Sequence, residues 1–174
     1  SFSRSKAKLN YQLSYGYHQT DGFRDWSAFK NHVANFRAKY KSGSNELILL
    51  INAVYNPVSQ DAGAQTVEEV TSNPKAARKA NKDFKAGEQV TQERLGIVYK
   101  HTSSSYYFQA KSYVLYRDFD NTLGFQTGGK VKIQRICGGV YAEVGNSYTQ
   151  NKHHWILGAD FQSQLDRRKN FDNN

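Results

Sequence analysis

From Lys6 to His18 the chain alternates without a fault between apolar and hydrophilic residues. Ala7, Leu9, Tyr11, Leu13, Tyr15 and Tyr17 take one parity; Lys6, Lys8, Asn10, Gln12, Ser14, Gly16 and His18 take the other. Side chains of an extended strand point alternately to opposite faces, so such a strand is oily on one side and wet on the other. An ordinary strand runs roughly 5–6 residues, and this run is more than twice that. A long two-faced strand of this kind is what the wall of a transmembrane β-barrel requires.

The composition is compatible with that reading. Only 38% of the 174 residues are hydrophobic, and the longest purely apolar run, Leu47–Ile51, falls far short of the roughly 20 residues of a membrane helix. A barrel escapes this test because only alternate residues face lipid. Aromatics are abundant, with 12 Tyr, 10 Phe and 2 Trp, and Tyr and Trp collect where an apolar layer meets water. A soluble Tyr-rich β-sandwich shares that composition. The single cysteine, Cys137, excludes an internal disulfide and reads as a small packing residue. The chain lacks Met, opens on Ser1 and carries no signal-peptide pattern, so residues 1–174 read as a partial barrel domain from a longer polypeptide.

The net charge of +9 suggests an anionic partner. The pairs Lys6 and Lys8, Arg37 and Lys39, and Lys130 and Lys132 lie at spacing two, which assigns them to the polar face. A water-filled lumen fits that dispersion better than a nucleic-acid groove, so no nucleic-acid partner is expected.

Seven strands are expected, at about 6–18, 29–41, 46–56, 89–102, 106–117, 130–145 and 153–167. In the last, Trp155, Leu157, Ala159, Phe161 and Leu165 oppose Gly158, Asp160, Gln162, Gln164 and Asp166. In the fourth, Leu95, Ile97 and Tyr99 oppose Arg94, Gly96, Val98 and Lys100. In the second, Ala34, Phe36, Ala38 and Tyr40 oppose Asn35, Arg37 and Lys39. The turns at 42–45, 103–105 and 146–152 are short, and the connections 19–28, 57–88 and 118–129 are longer. Strict alternation of short and long would put every long connection at one end, as outer-membrane barrels do with their extracellular loops. Seven strands cannot close a bacterial barrel, whose count is even, so further strands are expected outside this stretch.

The connection 57–88 is too long to be passive. Asn73 as N-cap, Pro74 at the first helical position and Gly87 as terminator predict a helix over 74–86. On it Lys75, Arg78, Lys79 and Lys82 share one side, opposite Ala76, Ala77, Ala80 and Phe84. Thr66 with Glu69 spells a capping box for a shorter preceding helix.

The stretches Tyr15–Asp25, Asn73–Gln92, Gly158–Gln162 and Asp166–Phe171 resemble the barrel of TonB-dependent outer-membrane receptors of the ferric-siderophore and ferric-citrate type, and the similarity spans most of the 174 residues. That resemblance implies a 22-stranded barrel around a plug domain, driven by TonB from the inner membrane. Neither the plug nor a TonB-contacting segment lies in this stretch. The expected fold is therefore all-β, an antiparallel transmembrane barrel segment with a short helix in a long extracellular loop. The expected location is the bacterial outer membrane, among lipid and lipopolysaccharide. The expected activity is import of an iron–siderophore or similar anionic chelate, with no enzymatic function and no cofactor. A passive porin-like channel and a soluble carbohydrate-binding module are the alternatives.

Candidate ligand residues are the loop aromatics Phe23, Trp26, Phe119 and Phe125, with Arg24, and the helix cations Lys75, Arg78, Lys79 and Lys82, joined by Lys85. Clustered positive charge concentrates anions, although a merely solvated helix face looks the same. Lys8, Arg37, Lys39, Arg94 and Lys100 would line the lumen, as ligand path or as partners of carboxylates. Tyr106, Tyr107, Phe108 and Trp155 are expected in one aromatic girdle, and Tyr17 and Tyr116 in the other. His153 and His154 are adjacent and would face opposite ways in a strand. His18, His32 and His101 show no ligand spacing, and no metal site is expected. No serine sits in a nucleophile elbow.

Overall fold

A computed structural model of the chain describes residues 1–146 and 153–173. The strands are β1 (Phe2–Lys6), β2 (Leu9–Thr20), β3 (Phe29–Ser42), β4 (Asn45–Gln60), β5 (Gly87–Thr102), β6 (Tyr106–Thr122), β7 (Lys130–Asn146) and β8 (Ile156–Phe171). They form one eight-stranded sheet in sequence order, every neighbouring pair antiparallel. The only helices among the described residues are α1 (Val67–Ser72) and α2 (Lys79–Asp83). Neither helix is long and apolar enough to cross a membrane.

The expected strand 6–18 stands as β2 from Leu9 onward, but its first residues form the turn of a hairpin with β1. Ala7 adopts φ 44°, the chain reverses at Ala7–Lys8, and Lys6 pairs with Leu9. The count among the described residues is thus eight, and the inference from an odd number of strands falls. The reversal also inverts the parity of β1, so Arg4 and Lys6 share the face of Tyr11 and Leu9.

Elsewhere the expected facings hold except at Tyr107, Lys130 and Lys132. One register row joins Tyr11, Ala38, Leu49, Ile97, Ser112, Val140 and Phe161 across β2–β8; the next joins Leu13, Phe36, Ile51, Leu95, Val114, Gly138 and Ser163. These rows belong to an apolar band. It runs from Leu9 to Tyr17 on β2, Leu47 to Tyr55 on β4, Val144 to Ile136 on β7 and Leu157 to Leu165 on β8, about 27 Å along each strand at about 3.4 Å per residue. Between β4 and β7 the band shifts by one register row, as a level belt must on strands tilted to it.

The opposite face carries Arg37, Lys39, Arg94, Lys100, Lys111, Arg117, Arg135 and Asp166, interrupted by Ile48, Leu50 and Leu115. Lys39 pairs with Glu46 at 2.6 Å, and Arg135 with Asp166 at 2.7 Å. Lys130 and Lys132 do not lie there, contrary to expectation. They share the parity of Ile136 and Val140 and lie beyond the band.

None of the described residues covers the apolar band. Phe161 is 68% exposed and Leu157 70%. The accessible surface is 12029 Å², against about 8,600 Å² for a compact monomer of 19.8 kDa. The buried apolar residues among those described are Ile48, Ala62, Ala86 and Leu115.

Three hairpin connections, at 7–8, 43–44 and 103–105, lie at one end of the sheet, and 21–28, 61–86 and 123–129 lie at the other. Strict alternation of length fails at the last hairpin. β6 extends to Thr122 and shortens its following loop to 123–129, whereas β7 and β8 are separated by 147–155. The turn expected at 146–152 falls, beyond Asn146, outside the described residues.

Candidate functional site

The loops at the long-loop end fold onto one another, and Arg24 is their hub. Its Nε and Nη2 donate to the Ala76 carbonyl at 3.0 and 2.9 Å, Nη1 to Gly63 O at 2.6 Å, and Nη2 also to Ala62 O at 3.2 Å. Next to it, the Asp25 amide donates to Lys75 O at 2.8 Å and the Asp25 carboxylate meets Lys82 at 3.6 Å. Trp26, in the left-handed region at φ 54°, donates its indole N–H to Ala86 O at 2.7 Å. The loop 21–28 thereby clasps 61–86 through backbone carbonyls, the acceptors a planar guanidinium can bridge.

A second joint lies around Asn81, which is 4% exposed. Its amide donates to Asp61 at 3.0 Å, and its own carbonyl accepts the Ala86 N–H at 2.7 Å. Gly63 and Gly124 press against it so closely that a Cβ on either would stand 2.7 or 2.6 Å from Asn81 Oδ1. Asn173 completes the cap, donating to Phe84 O and Leu123 O at 3.2 and 3.1 Å.

The single basic helix expected over 74–86 is corrected. The Thr66–Glu69 capping box is present and starts α1. The Glu68 backbone N–H and the Thr66 hydroxyl hold the Glu68 carboxyl below its usual range. Asn73 is the C-cap of α1 and not an N-cap: its N–H closes on Glu69 O. The carbonyls of Lys75 and Ala76 accept from Asp25 and Arg24 of the neighbouring loop, contacts that compete with helical bonds from residues 79 and 80, and no helix forms over 73–78. Helix resumes only at Lys79–Asp83, ending at Phe84 before Lys85 turns left-handed at φ 54°. Gly87 opens β5.

Of the candidate ligand residues, Arg24 and Trp26 are spent on holding the cap. Lys79 pairs with Asp83 at 2.5 Å and Lys82 with Asp25, so the ridge is half neutralised within the chain. Lys75 and Arg78 are exposed, and neither has an ion-pair partner among the described residues. Phe23 is 69% and Phe125 50% exposed on separate loops. Phe119 is not a loop residue. It lies on the polar face of β6, with the Arg117 guanidinium 5.2 Å from its ring. A cleft of about 280 Å³ opens beside Trp26, Gln60, Ala86, Asp120 and Lys130.

The aromatic margins of the band are partly as expected. Tyr106 and Phe108 share its face, but Tyr107 takes the opposite parity. At the other margin Tyr17 and Tyr116 are joined by two residues the sequence reading missed, His32 and Tyr55. The His32 ring lies 4.7 Å from Tyr17 and 5.9 Å from Tyr55, and its Nδ1 is 2.7 Å from the Tyr15 hydroxyl. Extending the regular parity of β3 two residues back from Ala34 would have found His32. Among the described residues no group of three His, Cys, Asp or Glu could hold a metal ion. The chain matches no protein-family model and no curated protein.

Proposed function

We propose that this chain is part of the wall of a transmembrane β-barrel, in a TonB-dependent outer-membrane receptor that imports an anionic, siderophore-like iron chelate. The observation that carries the wall is the uncovered apolar band. On β2, β4, β7 and β8 its alternate positions are filled with apolar or small residues and hold no charge. Each of these strands crosses it in nine residues, close to the roughly 9–11 that a tilted strand needs to span a bilayer. In water such a face would be an aggregation surface; in hydrocarbon it is a solvated one. A soluble carbohydrate-binding module would need a second layer over it, and the described loops cap the end of the sheet, with neither face covered by a described residue of another layer.

The import reading rests on the family resemblance of the loop and β8 segments. In it the polar face lines the lumen, the capped end faces outward, and Lys75, Arg78, Phe23 and Phe125 meet the chelate while Arg24 and Trp26 position their loops. A passive channel would share the wall but lack a plug. The test uses the full-length protein. It should require detergent for extraction, and deleting its gene should lower uptake of a ferric siderophore under iron limitation. Unchanged uptake would overturn the import reading, and a folded monomer in detergent-free buffer would overturn the wall.

A further inference from the structure

Across β2–β8 the charged residues sharing the band's face are Lys30, Glu93, Asp118, Asp120, Lys130, Lys132, Arg167 and Lys169. All lie at or beyond the long-loop margin of the band; at the hairpin margin β6 carries Tyr106 and Phe108, Trp155 precedes β8, and the cations on the band's face toward that end, Arg4 and Lys6, belong to β1. The charge is also uneven around the sheet. Asp118 and Asp120 are on β6, whereas β7 and β8 contribute only Lys130, Lys132, Arg167 and Lys169. Lys132 and Lys169 stand directly opposite each other, as do Gln134 and Arg167 one row closer to the band. Lys132 reaches Asp120 at 2.8 Å. Lys130, Arg167 and Lys169 have no ion-pair partner among the described residues, and both β8 cations are exposed. Like charges placed opposite each other destabilise a sheet unless an anion lies between them.

We infer that these cations form a docking surface for the phosphate groups of the phosphorylated glycolipid in the outer leaflet. The inference rests on the wall half of the proposed function and not on chelate import. Leu165 and Ile136, at the edge of the apolar band, pair with each other one row below Arg167. A lipid whose chains lie against the band therefore brings its headgroup to the level of Arg167, Lys169 and Lys132. Lysine and arginine stems can lie along apolar surface while their heads reach that polar layer. Multiple guanidinium and ammonium donors suit a phosphate, with Arg able to bind it through two parallel bonds.

The test uses the full-length protein purified in detergent, with lipopolysaccharide and its phosphatase-treated form as probes and inorganic phosphate as competitor. Wild type should bind lipopolysaccharide on the order of thirtyfold more tightly than the double variant R167Q/K169Q, taking roughly tenfold or less per removed cation. The charge-conserving R167K/K169R should retain binding. Phosphatase treatment should abolish the difference between wild type and the neutral variant, and free phosphate should compete only weakly. Equal binding of wild type and the neutral variant, or binding indifferent to lipid phosphate, would overturn the inference while leaving the wall intact. Failure of the protein to partition into detergent or the outer-membrane fraction would overturn the wall itself.

Discussion

The Arg24 guanidinium and the Ala76 carbonyl, 52 positions apart in sequence, are joined by two hydrogen bonds of 3.0 and 2.9 Å. With its bonds to Ala62 and Gly63, Arg24 ties the loop 21–28 to both limbs of 61–86. Arg24→Ala leaves three carbonyls without these donors, a loss of about 2–3 kcal/mol in the docking of that loop. Arg24→Lys should not restore it, because an ammonium cannot fork between them. Limited trypsin digestion reads this out: both variants should be cut faster at Lys75, Arg78 and Lys79 than wild type, with the sheet left intact.

The band can be tested at Val140, which is 57% exposed and lies in its middle rows. If water bathed this face, Val140→Arg would be close to neutral, as exposed substitutions usually are. Against hydrocarbon it should cost about 2–4 kcal/mol. Gln162→Arg, on the opposite face of β8, should cost far less. Urea unfolding of the full-length protein from lipid vesicles measures both.

The strands were legible because a period of two survives any local irregularity that conserves parity. β2 to β8 therefore show the expected faces except at Tyr107, Lys130 and Lys132, and β8 extends to Phe171 beyond its expected end. The turn at Ala7–Lys8 was hidden because a two-residue reversal carries the alternation through without a gap, and neither residue is a usual left-handed former. The basic helix failed for a different reason. Local signals at Asn73 and Pro74 favour a helix, but Arg24 and Asp25, distant in sequence, take the carbonyls it would use. That competition is tertiary and leaves no trace in a window of neighbouring residues. The same contacts removed Arg24 and Trp26 from the set free to meet a ligand.

On the polar face, Arg135 grips Asp166 with two bonds of 2.7 Å, and Arg117 stands directly opposite Arg135 on the other side. Asp166→Asn leaves two guanidiniums side by side. With both partners of the ion pair 35% exposed, the loss should be no more than about 1 kcal/mol. Screening should shrink it further. Thermal unfolding should show a lowered midpoint for the variant in dilute salt and a smaller difference in concentrated salt; an effect independent of salt would mean that packing, not charge, is what Asp166 supplies.

Glu68 offers a pH test outside the sheet. Its carboxyl is held below the ordinary 4.5 by its own backbone N–H and by the Thr66 hydroxyl. A carboxylate depressed in the folded state contributes stability that is present in full above 4.5 and is lost as pH falls through the lower, folded value. Helix α1 should therefore stay ordered on acidification to 4.5 and fray below it. Thr66→Val removes the hydroxyl that helps to lower the Glu68 carboxyl and also half of the capping box with Glu69. The Glu68 titration midpoint, followed by NMR of its side-chain carboxyl in the full-length protein, should move up toward 4.5 in the variant. Amide protection across Val67–Ser72 should fall at neutral pH as well, because the amide of Glu69 loses its acceptor. A midpoint unmoved by the substitution would leave the backbone N–H as the sole cause of the depression.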